Sequence, residues 1–79
     1  MFTLEIKTNR PWSLPTLELP ESTWTKPRKG TFPSLKAAEI ELSYLQQQFL
    51  DFEDLKNLEV NYRILNEKAE VLFEKRHKF

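Results

Sequence analysis

With 79 residues, 39% of them hydrophobic and 30% charged, the chain makes one domain near the lower size limit for an autonomous core. Twelve lysines and arginines balance twelve aspartates and glutamates, so no overall field draws in a polyanion. No stretch reaches the run of about 18 apolar residues that spans a bilayer, and the absence of cysteine removes disulfide staples and thiolate metal sites.

Residues 2–7, Phe-Thr-Leu-Glu-Ile-Lys, alternate apolar and polar side chains, the period of a half-buried strand. All five prolines then fall between positions 11 and 33. Pro15 and Pro20 bracket "TLEL", where Leu17 and Leu19 alternate with Thr16 and Glu18. Proline cannot donate to a ladder, so 16–19 reads as a short edge strand or as part of an extended strap over 10–33. Trp12, Leu14 and Trp24 are the side chains expected to fasten that strap to the core, at least one of the tryptophans acting as a lid.

Ser34 after Pro33 has the chemistry of a helix N-cap. Leu35, Ala38, Leu42, Leu45, Phe49 and Phe52 follow in steps of three and four, which predicts an amphipathic helix over 34–50. Acids oppose the dipole at a helix C-terminus, a reason to end the helix before Asp51. Beyond Leu58 the period returns to two. Val60, Tyr62 and Ile64 alternate with Glu59, Asn61 and Arg63; "NEKA" turns; Val71 and Phe73 alternate with Leu72 and Glu74. That is a β-hairpin, 58–65 with 70–76. One helix lying on a small, mainly antiparallel sheet hides both apolar faces, so the fold class is α+β, a single domain over 1–79.

The residues offer little for catalysis. The one histidine, His77, stands in a charged tail, and Gly30 is the only glycine, so neither a catalytic triad nor a glycine-rich phosphate cradle is indicated. Asp51, Glu53 and Asp54 lack the ligand spacing and glycine of a calcium loop. The expectation is no enzyme, no cofactor and no metal.

Binding surfaces are easier to nominate. Ile40, Tyr44 and Gln47 form a second stripe on the back of the helix; uncovered by the strap, it would meet another protein or a second copy of the chain, with Tyr44 as anchor and Trp24 contributing. The alternative partner is nucleic acid, held by Lys26, Arg28 and Lys29 together with Lys75, Arg76 and Lys78 if the two clusters merge along one sheet edge. Against it, "KPRKG" also reads as a solvated turn, with glycine supplying a left-handed residue. The leading expectation is a non-catalytic protein of the cytoplasm that docks onto another protein. A cysteine-free chain suits that reducing compartment, and the start "MFTLEIKTNRPW" lacks the layout of a secretory leader. Adaptors, inhibitors and regulators of bacteria and their phages are of this size.

Overall fold

The computed structural model describes residues 1–79. Six strands and one helix follow in the order β1 (Phe2–Thr8), β2 (Trp12–Leu14), β3 (Leu17–Leu19), β4 (Thr31–Phe32), α1 (Leu35–Leu50), β5 (Glu59–Leu65) and β6 (Val71–Lys78). Four of them form an antiparallel sheet in the order β4-β1-β5-β6, with α1 packed on one face. This is the α+β arrangement expected from the periodicities.

Alternation decides which side chains face the helix. Leu4, Ile6 and Thr8 of β1 stand beside Ile64, Tyr62 and Val60 of β5, and all six are fully buried. From the other side α1 contributes Ala38, Leu42, Leu45 and Phe49, its buried stripe. Burying a leucine or phenylalanine side chain contributes roughly 1.5–3 kcal/mol, so this seam is the main source of stability. Ser34 is the N-cap, its Oγ accepting from the Ala37 N–H at 3.1 Å, and the helix ends at Leu50 with Asp51 as C-cap.

The proline-rich segment departs from expectation. Leu17–Leu19 is a strand, but it does not edge the main sheet. It pairs with Trp12–Leu14 in a separate two-stranded ribbon that turns at Pro15 and Thr16. The prolines at 11, 15 and 20 isolate this ribbon, because neither end can continue into a longer ladder. Its Leu14 and Leu19 join the core, and Trp12 lies against Phe52 and Phe49 with ring centroids 5.1 and 6.4 Å apart.

The true edge partner of β1 is the stretch from Glu21 to Phe32. Ser22 donates to the Thr8 carbonyl, Thr25 and Ile6 exchange two bonds, and the Leu4 N–H donates to Gly30 at 2.8 Å. Phe32 then stands opposite Phe2. Gly30 sits in this seam, buried, and it does not adopt the left-handed backbone anticipated for it. Its requirement is space: a Cβ there would lie 2.7 Å from the Pro27 carbonyl oxygen and closer still to Lys26 Cγ. The left-handed residues are instead Ser22, Asn57 and Ala69. Ala69 closes the β5–β6 loop, where Asn66 Oδ1 accepts from the N–H groups of both Lys68 and Glu70.

Two outcomes follow for stability. Gly30→Ala forces backbone apart in a packed seam and is expected to cost about 1–3 kcal/mol, read as a lower denaturant midpoint at unchanged m-value. Tyr62 is fully buried on β5 and its hydroxyl has no hydrogen-bond partner. Removing that hydroxyl in Tyr62→Phe should stabilise by about 1 kcal/mol. Burial also pushes the Tyr62 hydroxyl pKa well above its ordinary value. Above about pH 10 the unfolded chain releases this proton while the folded chain keeps it, so stability falls as pH rises. Chemical denaturation of the Tyr62→Phe variant between neutral and alkaline pH should show a shallower loss than wild type.

Candidate functional site

Four surfaces hold the residues that bear on function. The outer side of α1 is the first. Because Ala38, Leu42, Leu45 and Phe49 turn inward, residues at helical spacing on the opposite side turn out. Ile40, Tyr44 and Gln47 are all exposed, Ile40 at 49% and Tyr44 at 61%. The strap does not cross them; it turns back at the ribbon and runs along β1. Leu50, one turn beyond Gln47, is 54% exposed and extends the patch. Its i+3 spacing from Gln47 is the signal for it, one step past the three residues that define the second stripe in the sequence.

Trp24 does not join them. Thr25 is the residue paired with Ile6, whose side chain faces α1, so its neighbour Trp24 projects to the opposite face of the sheet. There Arg63 Cζ lies 4.1 Å and Lys7 Nζ 4.7 Å from the indole centroid. Arg63 also donates to Glu5 at 2.7 Å. Trp24 thus fastens the strap, as expected, but through cations on the polar face and not through the apolar core. The sheet stands between it and Tyr44, so the proposed grouping of Trp24 with the helix stripe is corrected.

The basic clusters are likewise apart. Lys26, Arg28 and Lys29 lie in the segment that edges β1, whereas Lys75, Arg76 and Lys78 lie on β6 at the opposite edge. Three strand spacings, about 14 Å, separate the two edges. They do not merge into one basic edge, because the strap pairs with β1 and β5 lies between β1 and β6. "KPRKG" is also no simple solvated turn: Pro27 and Gly30 are buried while the three cations stay exposed. On β6, Lys75 donates to Gln46 Oε1 at 3.0 Å and Arg76 pairs with Glu59 at 2.8 Å.

The largest concavity, about 610 Å³, opens beside the ribbon and is lined by Pro11, Trp12, Leu19, Pro20 and Phe52, with Glu18 its one ionisable side chain. His77 does not line it; its ring lies tilted against Phe79, centroids 4.3 Å apart. No three Asp, Glu or His side chains gather where they could share a metal ion, Asp51, Glu53 and Asp54 included. No helix is long and apolar enough to cross a membrane. No protein-family model, curated protein or solved structure matches the chain.

The Trp24 clamp has its own test. Two cations over one partly buried ring contribute about 1 kcal/mol or somewhat more together. Trp24→Ala should lower stability by that amount or more, and in a double-mutant cycle measured by urea denaturation Arg63→Gln should cost less in the Trp24→Ala background than in wild type.

Proposed function

We propose that the chain is a non-catalytic binding protein that docks onto another protein through the outer side of α1. The observation supporting this most directly is the bareness of Ile40, Tyr44 and Leu50, which the strap leaves uncovered while it covers an end of the core and the edge of β1. Tyrosine suits the centre of such a face, offering a large rigid ring with a polar tip at low entropic cost. Gln47 supplies an adjacent donor and acceptor. Adaptor, inhibitor and regulator are the roles open to a module of this kind, and its cysteine-free composition suits a reducing compartment such as the cytoplasm. The nucleic-acid alternative depended on a continuous basic edge, and the strand order divides that edge in two.

A photo-crosslinking side chain at position 44 should trap a partner protein that the same group at position 63, on the opposite face, does not. With that partner in hand, Tyr44→Ala should weaken affinity about thirtyfold, or about 2 kcal/mol, while the circular dichroism spectrum is unchanged. The affinity should change little between about 50 and 200 mM salt, in contrast to phosphate-driven binding. Unchanged affinity in a folded Tyr44→Ala protein overturns the reading.

A further inference from the structure

One edge of the main sheet is covered and the other is bare. β1 is edged by residues 21–32, but β6 has β5 on one side and no strand on the other. The Phe79 N–H donates to the Leu58 carbonyl at 2.9 Å, one step beyond the Glu59–Lys78 pair. Alternation in an antiparallel ladder then makes Val60–His77, Tyr62–Lys75 and Ile64–Phe73 the hydrogen-bonded pairs. Glu74, Arg76 and Lys78 therefore turn their N–H and C=O groups outward, away from β5. Their side chains are exposed and stand on the face away from α1. Along the strand they read negative, positive, positive.

We infer that this edge takes up an extended segment of another protein as an added antiparallel strand. The segment carries acidic side chains opposite Arg76 and Lys78 and a basic one opposite Glu74. Main-chain bonds to the outward groups provide affinity, and the charge order sets register. Arg76 already holds Glu59, but a guanidinium has five donors and accommodates a second carboxylate. The Lys75–Gln46 bond ties the strand to α1, so the edge is held ready. Val71 and Leu72, 46% and 47% exposed, continue the seam with apolar surface.

A second copy of β6 fits this edge less well. A two-fold axis that pairs the strands antiparallel sets the residue on the axis against itself. In the register that sets Glu74 against Arg76 the axis passes through Lys75, which then opposes its own copy, and Lys78 opposes Leu72 and finds no acid. Lys78, left without an acid by a copy of the chain, is thus a group the acidic strand satisfies. This surface is distinct from the outer side of α1, and its test does not involve Tyr44.

The probe is the capped peptide Val-Glu-Val-Glu-Val-Lys-Val, with the charge-inverted Val-Lys-Val-Lys-Val-Glu-Val as control. Amide hydrogen exchange of the full chain is followed by NMR. With the first peptide, the Glu74, Arg76 and Lys78 amides should exchange about tenfold more slowly, while Phe73, Lys75 and His77, already bonded to β5, do not change. The control should leave all of them unaltered. In the double variant Arg76→Glu, Lys78→Glu the preference should reverse. Equal protection by both peptides, or by neither, overturns the proposal. So does protection in the free chain at doubled mass, which means self-pairing. A response of the same amides to oligothymidylate that collapses with salt also overturns it, assigning the edge to nucleic acid.

Discussion

β1 is hydrogen-bonded along both of its edges, and the remainder of the molecule is arranged around that. Its side toward β5 is a regular ladder. Its outer side belongs to Leu4, Ile6 and Thr8, buried residues whose backbone groups would be costly to leave without partners. A proline-rich segment is a poor source of such partners, since proline has no N–H to give. The chain answers by placing Ser22, Thr25 and Gly30 at the points of contact. The ladder is interrupted between Thr25 and Gly30, where Pro27 falls. Gly30 is needed there because the segment doubles back so tightly over Pro27 that no side chain fits.

The two faces of the sheet follow from this pairing. One is dry and closed by α1. The other is polar, with Arg63 shared between Glu5 and the Trp24 ring and Arg76 bound to Glu59. Ionic contacts that are partly exposed contribute little stability each, so this face keeps the strap in place more than it holds the fold together. The stability resides on the helix side, where the Tyr62 hydroxyl, Trp12 Nε1 and Gln48 Oε1 are buried without a hydrogen-bond partner.

Wherever a periodic run was long, its structure could be read directly. The alternation of Phe2–Thr8, the three-and-four spacing from Leu35 to Phe49, the Ser34 cap and the hairpin about "NEKA" all correspond to observed elements. What escaped was pairing between segments too short to show a period. Trp12–Leu14 has three residues, too few to announce itself as the partner of Leu17–Leu19. The contacts of Glu21 and Thr25 with β1 are single bridges, so nothing in their composition indicated that Trp24 would alternate onto the polar face. Strand order is equally invisible along a chain, which is why two basic clusters imagined as neighbours occupy opposite edges. Of the nominated interface, Ile40, Tyr44 and Gln47 share a surface; Trp24 does not.

The pairing of β1 with β5 has a kinetic side. Glu5 and Arg63, joined across it, are 58 positions apart along the chain. Closing so distant a contact is slow compared with forming α1 or the β5–β6 hairpin from adjacent residues. During synthesis β1 emerges first of the seven elements, yet its inner neighbour is made only after the helix is complete. An alternating apolar strand therefore waits with that side open, and the nascent chain is most prone to wrong association in this interval. The bonds of 21–32 to its other side, all within nearer reach along the chain, shorten the exposure by half-clothing β1 before β5 exists.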